Sequence, residues 1–164
     1  MPPYYCLPIV TNTGDFLASY SGVGLAGLRF PGAAMPPTPT PGRLPPQIRA
    51  WQRQTAAAVK AVLSGRPPAV LPPLDLAQGT AFQRAVWCAL ANIPLGQTRS
   101  YGEVAATIGR PKAVRAVGSA CGANPIPLLI PCHRVLGAHH RLGGFGGGLD
   151  WKRKLLAVEN IRCC

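Results

Sequence analysis

Residues 124–135 read NPIPLLIPCHRV, an apolar run that ends in a proline and then sets a thiol, Cys132, beside an imidazole, His133. A thiol reacts as its thiolate, and a neighbouring base or cation lowers its pKa. Three prolines stiffen the approach to Cys132, and Asn124 offers an amide that can hold backbone or a side chain. A lone cysteine is more often an inert core residue, but these surroundings favour a nucleophile.

A carboxylate near the end of the sequence supplies a third part. Glu159 closes a predicted helix over residues 149–159, on the same side as Leu155 and Leu156, where an unpaired carboxylate is costly. Pairing with His133 gives a Glu–His–Cys relay in which the acid orients the base.

The charge of the chain predicts its kind of partner. Its 164 residues carry 17 Lys and Arg against 5 Asp and Glu, a formal net charge of +12. Such a surface attracts polyanions, nucleic acid first and acidic membrane second. The sequence shows no signal peptide and no apolar run long enough to span a bilayer, so we expect its six cysteines to be reduced in a cytoplasmic protein without a membrane partner.

The spacing of apolar residues and the positions of proline-rich segments predict an α+β protein. Short apolar stretches over residues 4–30 predict a small antiparallel sheet, and residues 31–46 are too rich in proline for a helix or strand. Residues 47–63 have helical spacing and precede a second proline-rich joint. We therefore expect a small N-terminal antiparallel-sheet subdomain with a helix and a mostly helical C-terminal domain, divided as residues 1–74 and 75–164.

Two capping boxes mark helix starts in the second part, Thr80–Gln83 and Ser100–Glu103. Gly109 ends the second of these helices, and Pro111 is suited to the first position of a third helix that runs to Cys121. Two short helices joined by a Gly-Arg-Pro turn predict a helix-turn-helix.

The third helix has two different faces. Val114, Val117 and Cys121 fall at helical spacing, which predicts that this face points inward. The opposite face is basic and built of small residues, so another backbone can approach it closely; tight helix packing is the alternative explanation. Its members are Lys112, Arg115, Ala116 and Ser119.

A glycine-rich loop follows at residues 143–148, GGFGGG. It lacks the Lys-Ser/Thr and the glycine register of nucleotide-binding loops. We therefore expect a closely approached pocket wall in which Phe145 contacts the substrate.

These motifs resemble the C-terminal domain of the O6-alkylguanine-DNA alkyltransferases, also called methylated-DNA–protein-cysteine methyltransferases. The resemblance runs from about residue 79 to 160 and is carried by GTAFQRAVW, IPLGQTRSYGEVA, RPKAVRAVG, NPIPLLIPCHRV and GGFGGGLDWKRKLL with the following glutamate.

The resemblance implies a role for each matching residue. Cys132 is implied to accept the alkyl group of guanine O6 irreversibly, kept as thiolate by His133, through a bound water, and by Glu159. Tyr101 is implied to help rotate the nucleotide and to donate to guanine N3, and Asn124 to tie the helix-turn-helix to the active-site loop. Arg115 is implied to fill the gap left in the duplex. The small residues Ala113, Ala116 and Gly118 are implied to lie in the minor groove, and Phe145 beside the alkyl group. The backbone of Cys132, Val135 and Gly146 or Gly147 is implied to recognise the base edge. From the basic face, we expect Lys112 and Ser119 to bind DNA as well.

The same resemblance implies a monomer that binds double-stranded DNA containing O6-alkylguanine, with O4-alkylthymine as a further substrate left open. The implied reaction needs no organic cofactor. Because the N-terminal half has only Cys6 and no histidine, we also expect no metal. The alternatives are a non-catalytic alkyltransferase-like lesion binder, which lacks the acceptor cysteine, a Cys/His/Glu hydrolase, and a DNA-binding regulator without chemistry.

Overall fold

A three-stranded antiparallel sheet forms the N-terminal part of the computed structural model, which describes residues 4–34 and 43–163. Its strands are β1 (Tyr5–Ile9), β2 (Phe16–Tyr20) and β3 (Leu25–Arg29), in the order β1-β2-β3. Helix α1 (Pro46–Leu63) packs on this sheet through a buried apolar face. The sheet and the helix were both predicted from the sequence; of the proline-rich segment over residues 31–46, positions 35–42 lie outside the described residues.

The second part is mostly helical. It contains α2 (Ala81–Ala91), α3 (Tyr101–Thr107), α4 (Val114–Gly122) and α5 (Leu149–Val158). Between them, the short strands β4 (Arg99–Ser100) and β5 (Val135–Leu136) pair in parallel, which brings the start of α3 beside the end of the Cys132 turn. The α+β expectation is therefore confirmed.

Both predicted capping boxes are present. The Thr80 hydroxyl accepts from Gln83 N and the Gln83 side chain accepts from Thr80 N, and Ser100 and Glu103 are paired in the same way. These contacts satisfy amide groups that the first turn of a helix leaves without partners. They fix where α2 and α3 begin.

The predicted start of α4 was wrong. Ala113 N donates to Arg110 O over 2.8 Å, so Pro111 occupies a turn and the helix begins at Val114. Proline is favoured at the second position of such a turn, where its fixed φ fits without entering a helix. The inward face was also partly wrong, because Val114 is 41% exposed while Val117, Ala120 and Cys121 are buried.

The two parts share one hydrophobic core. Leu25 N donates to Pro73 O over 2.7 Å, and Leu28 N donates to Pro125 O over 2.8 Å. The second bond ties the end of β3 to the segment that leads to Cys132. The division at residues 74 and 75 stays a prediction, and none of the helices in the described ranges is both long and apolar enough to cross a membrane.

Candidate active site

Cys132 opens a single 3-10 turn, Cys132–Arg134, and is 7% exposed. The turn is held from upstream by Asn124, whose Nδ2 donates to Ile130 O over 2.8 Å and whose Oδ1 accepts from Ile126 N over 3.0 Å. Asn124 lies just after α4. One amide therefore closes the loop between the end of that helix and the cysteine.

His133 and Glu159 are in direct contact. His133 Nε2 lies 2.8 Å from Glu159 Oε1, and both side chains are buried. Burial, opposed by the bonded Glu159, keeps the pKa of His133 below its usual value. A carboxylate accepts but does not donate, so in a neutral ring Nε2 carries the hydrogen and Nδ1 keeps a free lone pair. That Nδ1 is buried and has no protein hydrogen-bond partner in the described part of the chain.

Arg134 completes this network, a partner that the sequence analysis missed. Its Nη2 donates to Glu159 Oε1 and its Nε to Oε2, both over 2.9 Å, while Nη1 donates to Ile93 O over 2.7 Å. Burial alone raises the pKa of Glu159, but bonds from His133, Arg134 and Gly96 N together lower it to about 2. Glu159 is therefore ionised at neutral pH. The surplus of arginine over acidic residues indicated that Glu159 could pair with an arginine. The sequence alone does not show which arginine is buried beside it.

A second buried cation was also missed. Lys152 on α5 is 0% exposed, and its Nζ donates to the carbonyl oxygens of Val135 and Leu142, and to that of Gly144 over 3.4 Å. The sequence did contain a signal for its burial, because Lys152 precedes Leu155 by three residues and therefore lies on the same buried face of α5.

Burial raises the pKa of Cys132, and two neighbours oppose that shift. The Asn124 side chain is the larger of these influences and the positive charge of Lys152 the next. Burial similarly lowers the pKa of Lys152, an effect that the nearby thiols oppose. Cys132 therefore combines a packed environment with neighbouring groups that favour its thiolate.

Two cavities meet at Cys132. The first, here called the tyrosine cavity, measures about 490 Å³ and reaches Tyr101 and Gly118. The second, the junction cavity, measures about 500 Å³ and is walled on one side by residues from the end of β3, including Phe30. The residues common to both walls are Cys121, Gly122, Cys132, Phe145 and Gly146.

Tyr101, the first residue of α3, is half-buried in the tyrosine cavity. Burial, with the nearby Cys121 and Cys132, raises its pKa to about 12, so it keeps its hydroxyl hydrogen at neutral pH. Gly143 has φ +65°, and a Cβ there would come within 2.8 Å of Tyr101 Oη. The glycine-rich loop thus gives the tyrosine room to enter the cavity.

The outer surface of α4 is exposed at Arg115, Ala116 and Ser119, with Lys112 exposed in the turn before it. Ala113 caps the helix, and it and Gly118 are half-buried. Helices α3 and α4 pack against each other. Their assignment as a DNA-binding helix-turn-helix stays a prediction.

The other predicted contacts differ in position, and Val135 lines neither cavity. Val135 is fully buried in β5, and Gly147 belongs to the junction cavity only. Across residues 4–34 and 43–163, no three His, Cys, Asp or Glu side chains are grouped so that they could hold a metal ion.

Comparisons with known proteins point to one family. The sequence model of a protein family, described as 6-O-methylguanine DNA methyltransferase, DNA binding domain, matches residues 81–161. A methylated-DNA–protein-cysteine methyltransferase of Mycolicibacterium paratuberculosis is 62% identical over 86 residues, covering 52% of this chain and 52% of that protein. One from Methanosarcina barkeri is 47% identical over 115 residues, covering 67% of this chain and 70% of the relative.

A solved structure extends the similarity beyond the matched segment. The crystal structure of Mycobacterium tuberculosis OGT in complex with DNA has a TM-score of 0.78 and 39% identity, covering 95% of this chain and 91% of the other. In sequence, by contrast, the match to the M. paratuberculosis protein spans only about half the length of that relative, 52%.

Proposed function

Because this chain belongs to the methylated-DNA–protein-cysteine methyltransferase family, we propose that it repairs O6-alkylguanine in DNA by moving the alkyl group onto its own Cys132. The observation that carries the proposal is the position of Cys132 in the wall shared by two cavities, directly before the buried His133–Glu159–Arg134 network. The product is a stable thioether, so each molecule acts once.

The nucleophile is prepared by charge and hydrogen bonding. Glu159 is ionised and holds the His133 ring with Nδ1 as an acceptor. In this proposal Nδ1 takes the thiol proton of Cys132 through a water, as the family resemblance implies. Asn124 and Lys152 favour the resulting thiolate against the effect of burial.

The transfer is a single displacement. The bond from Cys132 Sγ to the alkyl carbon forms as the bond from that carbon to guanine O6 breaks, and the electron pair stays on the guanine. Tyr101, whose pKa is raised to about 12 and whose hydroxyl therefore keeps its proton, donates a hydrogen bond to guanine N3 as that charge develops. The released guanine takes up one proton, which balances the proton lost by Cys132. The main chain of Val135, Gly146 and Gly147 is proposed to hold the base edge.

Duplex DNA must open for this reaction, because a stacked base cannot reach a buried sulfur. We assign the exposed surface of α4 to the minor groove, with Arg115 filling the gap left by the extruded nucleotide. Lys112 and Ser119 are assigned to contacts with the DNA backbone. The small residues Ala113, Ala116 and Gly118 are assigned to letting α4 approach the minor groove closely. The net charge of +12 supports a polyanionic partner.

We further propose that the protein works as a monomer in the cytoplasm. The five cysteines of the described residues are free thiols, which suits a reducing compartment. No step requires an organic cofactor or a metal.

The test is transfer of label from a duplex containing O6-[³H]methylguanine. Label should reach about one methyl per protein molecule and then stop, because the nucleophile is consumed. Peptide mapping should place it on Cys132 rather than Cys121, because Cys132 directly precedes the buried His133–Glu159–Arg134 network and Cys121 lies on α4.

Two variants make the test specific. Cys132→Ser should lose labelling while still binding the damaged duplex, and Cys88→Ser, which changes an exposed thiol on α2, should be labelled normally. Release of labelled methanol with repeated turnover would point to a hydrolase and overturn the proposal.

A further inference from the structure

An aromatic cluster connects the N-terminal sheet to the glycine-rich loop. The Phe30 ring lies 5.5 Å from that of Phe145, edge to face at 71°, and 5.1 Å from that of Trp151. Phe16 lies behind them, 5.6 Å from Phe30 and 5.5 Å from Trp151. The wall next to Cys132 is therefore supported by a side chain from outside the matched segment, residues 81–161.

Phe30 is held firmly in this position. The hydrogen bond from Leu28 N to Pro125 O fixes the end of β3 against the segment before Cys132. A Cβ at Gly147 would come within 2.5 Å of the Phe30 ring, so glycine at this position allows the ring to rest on the loop. Phe30 is half-buried and lines the junction cavity.

The junction cavity is larger than a methyl group requires. Its volume of about 500 Å³ falls in the range of pockets that hold small organic ligands. Its wall is mainly apolar and includes Leu28, Pro127 and the two phenylalanines, Phe30 and Phe145. Aromatic rings favour edge-to-face or offset contacts with another ring, and such contacts add to simple apolar burial.

We propose that Phe30 is a specificity-determining residue, and that with Phe145 it shapes the junction cavity to accept aralkyl groups, meaning alkyl groups that carry an aromatic ring. This inference rests on the proposed function, because the group enters the cavity as it is transferred to Cys132. A benzyl group on guanine O6 extends from the tyrosine cavity past the sulfur toward Phe30. A methyl group ends at the sulfur and does not reach that ring.

The experiment compares two free bases, O6-benzylguanine and O6-methylguanine, so that DNA binding plays no part. Second-order rate constants for alkylation of Cys132 are measured for the unaltered protein and for Phe30→Leu, which keeps an apolar side chain of similar size. Loss of one well-packed aromatic contact should lower the benzyl rate about tenfold more than the methyl rate.

Phe16→Leu is the matched control. It removes a ring from the same cluster, but Phe16 does not line the junction cavity among the described residues. We expect it to lower the melting temperature while keeping the ratio of benzyl to methyl rates. A purely structural role for Phe30 would change that ratio no more than Phe16→Leu does, and that result would overturn the inference.

A double-mutant cycle tests the contact between Gly147 and the Phe30 ring. Gly147 is not among the glycines with positive φ, and the three atoms nearest to a Cβ there all belong to the Phe30 ring, so alanine changes chiefly that contact. Gly147→Ala should slow benzyl transfer, and the loss should be smaller in a Phe30→Ala background, where the ring is gone. Equal losses in both backgrounds would contradict the proposed contact.

The proposed function and this inference fail in different ways. If the unaltered protein takes alkyl from neither base nor from the labelled duplex, the proposed function is wrong and the inference falls with it. If it takes both groups but Phe30→Leu leaves their ratio unchanged, the inference alone is wrong.

Discussion

Lys152 couples the acceptor turn to the loop that faces it. One buried ammonium group joins carbonyl oxygens from β5, from Leu142 and from the glycine-rich loop, and its charge favours the thiolate of Cys132. Removing the ammonium leaves the buried carbonyl groups of Val135 and Leu142 without this donor, which costs about 1–3 kcal/mol for each unsatisfied group.

Replacing Lys152 should therefore change both stability and the pH dependence of transfer. In Lys152→Met we expect a lower melting temperature and an alkylation rate that reaches its half-maximal value at higher pH, because the pKa of Cys132 rises further without the nearby cation. The rate with O6-benzylguanine measured between pH 6 and pH 10 checks this.

Lys154→Met is the control for that measurement. It makes the same chemical change two residues away, at an exposed side chain that lies over Trp151. An unchanged pH profile in Lys152→Met, or an equal shift in both variants, would contradict a specific effect of Lys152 on Cys132.

At the scale of elements, the proposed function gives the two sides of helix α4 separate tasks, DNA binding and chemistry. Its exposed side carries Arg115, while its buried side faces the core through Val117 and Cys121. A change at Arg115 should thus weaken the complex with DNA without disturbing the cavities.

Arg115→Ala should bind a duplex containing O6-methylguanine at least about fivefold more weakly, since truncating a central interface arginine typically costs 1 kcal/mol or more. Its rate with free O6-benzylguanine should stay unchanged. Arg53→Ala, which removes an exposed arginine from α1, should bind the duplex almost normally. Equal losses in both variants would mean that only overall charge matters.

Local signals predicted the elements well. The starts of α2 and α3 follow from capping boxes that involve four consecutive residues each, and the apolar spacing of α1 defines its buried face. The start of α4 could not be predicted equally well, because Pro111 suits both a first helical turn and the β-turn that forms. The outcome depends on the Ala113–Arg110 hydrogen bond.

Long-range contacts explain what the sequence did not show about the site. The cost of leaving Glu159 unpaired was enough to predict its contact with His133, 26 residues away. The same cost did not reveal that Arg134 shares that carboxylate, or that Phe30 stands beside a cysteine about a hundred residues later in the chain. Such partners are set by how the sheet packs on the helices.

For the molecule as a whole, the shared core makes the two parts mutually dependent. Strand β3 bonds to both the Pro73–Asp75 segment and Pro125, and the aromatic cluster closes the contact from the other side. Neither part buries these surfaces without the other.

We therefore expect one cooperative unfolding transition in urea. Tryptophan fluorescence, far-UV circular dichroism and residual alkyl transfer should all lose half their signal at the same urea concentration, as in two-state unfolding of a small protein. Separate midpoints for the three signals would mean that residues 1–74 and 75–164 unfold independently.

The placement of the junction cavity also bears on how the family diversifies. One of its walls comes from residues 28–33, which lie before the segment that the family model matches, residues 81–161. Substitutions in the first segment can remodel the cavity while the nucleophile and its network stay intact. If the junction cavity takes the transferred group as proposed, we expect two relatives with nearly identical acceptor halves to repair different sets of lesions.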